Sequence, residues 1–316
     1  PRLGEGYTTD DNARALLYLS LLPEGARDEG LVRTYLAFLL HMQKEDGRFR
    51  NGLTLDGRFE DEGEAEDPTG RAVLALAAAQ RLPPPYAGPA REALLRALPA
   101  LEGFTSLRGR AYALLGLLAL PKEPFLEAAE ALGEGLLRAF REAGPAWPYP
   151  GPLTYANHRP VEALYAYGLA FRRQEAVALA RRALAFLKEH YFTPGEEGLF
   201  FDPVGNRFMA RGRDKPLFDQ QPIEAKCALL AHLRFGERVL AEVAFLWFHG
   251  RNRLRAPLVD AFGPMDGLTP HGPNQNRGAE ALLAYLLAWQ ALVQGVFPQV
   301  DEGVALGRVF ALGGRP

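Results

Sequence analysis

One cysteine, one isoleucine and two serines among 316 residues narrow the chemistry before any motif is read. Cys227 has no partner for an internal disulfide and cannot build a Cys-based zinc site, so nothing marks an oxidised extracellular scaffold. Ser20 lies inside an apolar helical run and Ser106 just before another. Neither sits in a G-x-S-x-G elbow, which leaves serine-hydrolase chemistry almost without a nucleophile. Ile223 stands alone and β-branched runs are few, while Ala and Leu fill every long apolar segment; that composition favours helix throughout. Charge of neither sign is in excess, since 36 basic residues face 38 acidic ones for a net −2. Without a cationic field, nucleic acid and an anionic membrane surface are not expected partners. The longest apolar runs, such as Ala281 to Val293, fall short of the roughly 20 residues that cross a bilayer. The chain opens at Pro1 without a charged n-region and an apolar h-region, and a cytoplasmic location is the expectation.

Periodicity separates the apolar segments into two kinds that alternate along the chain. Asn12–Leu22, Arg71–Leu82, Arg110–Leu120, Val161–Phe171, Ile223–Leu233 and Ala279–Val293 are apolar nearly all round, and a helix without a polar face has to be covered on most sides. Glu29–Gln43, Pro89–Leu101, Pro124–Ala143, Gln174–His190 and Glu237–His249 are amphipathic, with charged stripes such as Arg181, Arg182 and Lys188 for solvent. Six covered helices alternating with solvent-facing ones predict an all-α (α/α)6 toroid of inner and outer helices, one domain over residues 1–316. A polar motif recurs where each covered helix begins. Measured from Arg14, Arg71, Arg110, Arg159, Glu224 and Arg277, its steps are 57, 39, 49, 65 and 53 residues, about one helical hairpin with its loops. An α-solenoid also alternates, but its repeats run shorter and more uniform. The longer loops, Asp46–Glu66, Trp147–Thr154, Phe192–Phe218 and Arg251–Asn276, precede covered helices and in a toroid gather at one rim. Phe200–Phe208 reads as a short hairpin there.

No G-x-x-x-x-G-K-[ST], strand-linked G-x-G-x-x-G or H-E-x-x-H occurs, and the six histidines show no i, i+4 pairing, so neither a nucleotide cofactor nor a metal is expected. What remains is a set of acids, amides and arginines at the starts of the covered helices. Asp and Asn are ordinary N-caps, and acids suit first turns. A cap needs one polar residue, however, and these starts carry three to five, a full turn into otherwise apolar helices. Polar groups there must be paired or must face a wet cavity. With Tyr7, Phe49, Trp147, Tyr149, Tyr155 and Phe218 at the rim, such a cavity suits a sugar: hydroxyls need donors and acceptors, and glycosidic cleavage needs two carboxyl groups of opposed protonation. The catalytic candidates are Asp11 with one or more of Asp67, Asp219 and Glu280. The substrate-binding candidates are Tyr7, Asp10, Asn12, Arg14, Arg71, Trp147, Tyr155, Asn157, Arg159, Glu162, Gln220, Gln221, Asn276 and Arg277. Of the consecutive acids, one can cap its helix while the other points inward, and Asp11, three residues before Arg14, is the better inward candidate. A wide rim favours a carboxyl separation of roughly 6.5–9.5 Å, and hence inversion.

Several phrases are specific. Gly6-Tyr7-Thr8-Thr9-Asp10-Asp11-Asn12-Ala13-Arg14-Ala15, Leu153-Thr154-Tyr155-Ala156-Asn157, Phe218-Asp219-Gln220-Gln221-Pro222-Ile223-Glu224-Ala225, and Asp266-Gly267-Leu268-Thr269 with Asn276-Arg277-Gly278-Ala279-Glu280 resemble a bacterial family of six-hairpin glycosidase-like proteins. Its members occur alone or fused to glycosyltransferase-annotated proteins, and are often encoded near mannoside phosphorylases. The resemblance spans nearly the whole chain and implies fold and carbohydrate context, with a glycosyltransferase domain or protein as an expected partner; it supplies no catalytic pair. In that family small or acidic residues stand where this chain has His158 and His271, which weakens a histidine-dependent mechanism.

Three functions follow. The leading one is an inverting glycoside hydrolase or phosphorylase on a small, mannose-type oligosaccharide. The alternative is a sugar 2-epimerase or isomerase, which needs a general base such as His158 with His271. The third is a non-catalytic glycan-binding domain serving a glycosyltransferase.

Overall fold

The alternation of apolar and amphipathic segments is realised as eleven α-helices in the computed structural model, which describes residues 4–60 and 66–296. They are α1 (Thr9–Leu21), α2 (Glu29–Met42), α3 (Glu66–Ala78), α4 (Pro84–Leu101), α5 (Leu107–Leu117), α6 (Phe125–Glu142), α7 (His158–Ala170), α8 (Gln174–Tyr191), α9 (Pro222–Arg234), α10 (Arg238–Leu246) and α11 (Ala279–Val293). Odd-numbered helices are the apolar kind and even-numbered ones the amphipathic kind. In α3 every residue from Pro68 to Ala78 is buried, whereas α2 buries only Val32, Leu36, Leu39 and Met42. The exception is α11, where Leu282 and Val293 remain exposed.

Most apolar helices begin three to five residues before their apolar pattern does, so the polar motifs form their first turns. Thr8 caps α1 by accepting from the Asp11 N–H at 3.1 Å, and Asp10 and Asp11 then place negative charge at the positive end of the helix dipole. Ser106 caps α5 through the Gly109 N–H at 3.2 Å, while Glu66 accepts from the Thr105 and Ser106 N–H groups at 2.8 and 2.5 Å. Pro222 opens α9, where its missing N–H costs nothing.

The chain divides into two compact units. The first is built from Gly6–Arg138 and Ala163–Ala178. In it α1 packs on α2 and α3, and α3 on α4 and α5. The α3–α5 seam is backbone against backbone: a Cβ on Gly70 would stand 2.4 Å from the Gly109 carbonyl oxygen, and one on Gly116 would stand 2.7 Å from the Leu74 Cα. Before α1, a small antiparallel sheet sets Tyr7 against Leu53 and Leu53 against Phe59, with Thr8, Gly52 and Glu60 in the next row.

The second unit is built from Ala139–Glu162 and residues 179–296. Here α9 packs on α10 and α11. The expected Phe200–Phe208 hairpin forms upstream instead, between Phe192–Gly195 and Gly198–Phe201. Pro203 cannot donate to a ladder, and Asp202 is drawn into the interior, so the strand ends at Phe201. Two shorter hairpins, Val259–Asp260 with Gly263–Pro264 and Leu268–Thr269 with Gly272–Pro273, precede α11. Among the described residues no helix is long and apolar enough to cross a membrane.

Candidate functional site

In the first unit, the first turns of α1 and α3 present carboxylates and guanidinium groups to one another. Asp11 accepts from Arg14 Nη1 at 2.6 Å and from the Thr8 hydroxyl at 3.0 Å. Asp10 accepts from Arg71 Nη1 and lies 3.9 Å from Arg14. Its Oδ1 is buried and meets no hydrogen-bond donor among the described residues. Arg71 in turn sits 4.7 Å from the centroid of the Tyr112 ring and 3.4 Å from its hydroxyl. One turn back on α3, Asp67 takes the Ser106 hydroxyl at 2.5 Å and Arg108 Nε at 2.8 Å. Four of the predicted residues, Asp10, Asp11, Arg14 and Arg71, are thus brought together, with Asp67 on the adjoining turn. Asn12 turns its amide back to the Thr8 carbonyl at 2.7 Å. Tyr7 is half exposed, its ring edge-on to Phe38. Phe49, read as a rim aromatic, is instead fully buried, because its N–H bonds the buried Thr69 hydroxyl at 2.9 Å.

In the second unit most predicted sugar ligands bond protein groups instead. Asn157 is fully buried, accepting from the Thr154 N–H at 2.9 Å and donating to the Tyr191 hydroxyl at 2.7 Å. Burial, and then the Glu224 charge, push the Tyr191 hydroxyl well above the usual tyrosine range. Glu224 is itself buried and accepts from the Ala156 N–H. Arg159 and Glu162 pair at 2.5 Å, with Arg234 on the other Glu162 oxygen at 3.1 Å. Gln220 donates to Asp202 at 2.8 Å and to the Leu217 carbonyl at 2.9 Å, and accepts from the Trp247 indole at 2.9 Å. Asn276 donates to Asp266, and Arg277 ties the Val259–Pro264 hairpin through the Gly263 carbonyl and Asp260 at 2.7 Å. Trp147 donates to the Gly151 carbonyl at 2.8 Å and packs edge-on to Phe186, Tyr149 is buried against Phe140, and Tyr155 lies partly buried against Ala156, Ile223 and Cys227.

The remaining candidates keep solvent access. Asp219 is exposed and holds φ at 61°, a left-handed conformation that Asp tolerates better than most residues. Gln221 caps α9 without a side-chain bond, and Glu280 stands half-buried in the first turn of α11. The two histidines of the isomerase alternative occupy opposite environments. His158 is sealed in, perpendicular to Tyr191 at 4.8 Å and beside His232 at 5.7 Å, with neither ring nitrogen hydrogen-bonded among the described residues. Burial, and secondarily His232, hold its pKa well below the ordinary histidine value. His271 sits exposed in a hairpin turn. Among the described residues no group of three or more His, Cys, Asp or Glu could hold a metal ion.

Residues that the motifs did not single out complete both units. Tyr112 supports Arg71 from α5, and Asp202 is a buried hub for Lys215 at 2.8 Å, Arg253 at 2.5 Å, Gln220 and Thr193. The signal for Asp202 was a lone acid at the end of an aromatic strand, directly before proline.

No family model and no curated protein matches the chain. Solved structures do. A D-mannose isomerase is similar at a TM-score of 0.65 and 10% identity, over 92% of this chain and 87% of that one. The cellobiose 2-epimerase of Spirochaeta thermophila DSM 6192 gives 0.63 at 14% identity, over 98% and 88%. An α-mannanase from Bacteroides thetaiotaomicron gives 0.58 at 10% identity, over 97% and 88%. The fold is therefore the all-α (α/α)6 arrangement of inner and outer helices, six-hairpin glycosidase-like.

Proposed function

We propose that this chain is a carbohydrate-active enzyme, an inverting glycoside hydrolase or phosphorylase acting on small mannose-type oligosaccharides. The observation that carries the reading is the carboxylate set on adjoining first turns: Asp10 and Asp11 on α1, Asp67 on α3, and a buried Asp10 oxygen with no donor among the described residues. Buried acceptors of that kind are normally satisfied, and because the Asp10 side chain keeps partial solvent access, a small turn of its carboxylate would let a sugar hydroxyl donate to it. In the proposed mechanism one carboxyl group of the pair protonates the glycosidic oxygen as the bond to the anomeric carbon breaks. The other takes a proton from the water that attacks from the opposite face, or orients a phosphate in its place. Asp11 and Asp67 are assigned as the pair; Arg14 holds Asp11, Arg71 holds Asp10, and Asp10 meets the hydroxyls. Asp219 and Glu280 keep the status of candidates for substitution. A glycosyltransferase domain or protein is the proposed partner, on the strength of the family resemblance.

The reading is tested by incubating the protein with manno-oligosaccharides, with and without inorganic phosphate, and following the anomeric signals by NMR. Inverted product, abolished by Asp11→Asn or Asp67→Asn, is the expected result. Retention of configuration, or near-wild-type turnover in Asp11→Asn, Asp67→Asn, Asp219→Asn and Glu280→Gln alike, contradicts it.

The isomerase reading is favoured by the shared fold with a D-mannose isomerase and a cellobiose 2-epimerase. It requires an accessible base, and His158 is fully buried. Conversion of mannose to fructose or glucose that is lost in His158→Ala and kept in Asp11→Asn would establish it instead.

A further inference from the structure

Within the second unit, a cavity of about 530 Å³ opens between the Phe192–Phe201 hairpin and the segment 249–255 that follows α10. None of the candidate residues above lines it. Three arginines alternate along one side of it, at 251, 253 and 255. Two are neutralised: Arg253 by Asp202 at 2.5 Å, and Arg255 by Glu196 at 2.6 Å. Arg251 is not. Its Nη2 donates to the Glu197 backbone carbonyl at 2.9 Å, its Nε is buried without an acceptor, and no carboxylate among the described residues pairs with it. Gly198, left-handed at φ 93°, makes the room: a Cβ there would stand 3.1 Å from Arg251 Nη2. A partly desolvated guanidinium with no counter-charge is a standing cost that a bound oxyanion removes, and its planar fork matches phosphate.

Of the rest of the lining, Glu196 is spent on Arg255, Asn252 is tied to the Trp247 and Ala256 carbonyls, and Glu197 is the acid that keeps the phosphate on the Arg251 side. Phe200 and Leu246 supply apolar surface, and His249, whose pKa burial holds below the usual histidine value, offers a neutral ring for a hydroxyl. The volume falls in the range of small-molecule sites, roughly 300–1,000 Å³.

We infer that this cavity binds the phosphate monoester of a small sugar, with Arg251 receiving the phosphate and Phe200, Leu246 and His249 facing the ring. Neither Asp11 nor Asp67 takes part, so the site stands or falls apart from the catalytic reading.

Isothermal titration of the purified full chain in phosphate-free buffer tests it, with mannose 6-phosphate, glucose 6-phosphate, mannose and inorganic phosphate as probes. At least one sugar phosphate should bind saturably, about tenfold or more tighter than mannose or inorganic phosphate, and Arg251→Gln should weaken it by about tenfold without lowering the melting temperature. Absence of saturable binding, equal affinity for inorganic phosphate, or unchanged affinity in Arg251→Gln overturns the assignment. Should Arg251→Gln fail to fold, the wild-type affinity must fall as sodium chloride rises, and a salt-independent affinity overturns it as well.

Discussion

The Asp10 carboxylate of α1 accepts a hydrogen bond from the Arg71 guanidinium of α3, and Arg71 also lies over the Tyr112 ring of α5, so one side chain links three successive buried helices. Removing it leaves Asp10, among the described residues, only the more distant Arg14, at 3.9 Å. Arg71→Leu should therefore destabilise the fold by about 3 kcal/mol, the low end for a broken buried pair because Asp10 keeps some solvent access. Urea midpoints would show it, and Asp10→Asn combined with Arg71→Leu should cost less than the two singles added together.

Acid should weaken the protein from about pH 6.5 downward. His158 and His232 both have folded pKa values lowered by burial, whereas in the unfolded chain they titrate near 6.5. Below that pH the unfolded state binds more protons, so stability falls, by up to about 1.4 kcal/mol per pH unit for each histidine. Urea midpoints between pH 7.5 and 5 should track this slope, and His158→Phe should flatten it. Glu237, held at about 2 first by the His232 hydrogen bond and then by Lys188, adds stability that is present above about pH 4.5 and lost as pH falls toward 2. Glu237→Gln should remove that lower limb.

Two glycine substitutions should differ in size. Gly70→Ala drives a methyl group into the Gly109 backbone and should cost about 2 kcal/mol. Gly88→Ala, exposed in α4 with nothing beyond its chain neighbours within 4 Å of the new Cβ, sets its helix-propensity gain against the Pro89 ring that follows and should change stability by less than about 0.5 kcal/mol. Paired thermal melts decide it.

Asp202→Ala should loosen the segment from 203 to 219 while leaving most helices intact. The buried carboxylate is the shared acceptor of Lys215, Arg253 and Gln220, and deleting it leaves two cations facing each other, a cost of about 3–5 kcal/mol. Trypsin should then cut faster at Arg207, Arg211 or Arg213, with fragments identified by mass spectrometry. Unchanged cleavage would mean that the loop is held by other contacts.

The helices were legible because their periodicities are local. The two kinds of apolar segment map onto odd- and even-numbered helices, with starts shifted because Asp10, Asp67 and His158 lie inside first turns. The polar surplus at those starts correctly marked unusual positions, yet its meaning divided. Asp10 and Asp11 keep partial solvent access over the buried Arg14 and Arg71, while Asn157, Arg159, Glu162 and Gln220 serve internal bonding. Nothing local separates the two outcomes, since the partners Tyr191, Arg234 and Trp247 lie 27 to 72 residues away. Asp202 was missed for the same reason: its cations come from positions 215 and 253.

The α3–α5 seam has a consequence for how ligand could be accommodated. At the two points where Gly70 meets Gly109 and Gly116 meets Leu74, the backbones themselves are in contact, which leaves little room there for one helix to roll or slide on the other. Asp67 and Arg71 on one helix, and Arg108 and Tyr112 on the other, therefore move as a single rigid body. Adjustment to substrates of different length falls to the surrounding loops, and variation in specificity among relatives should concentrate there while the seam glycines stay fixed.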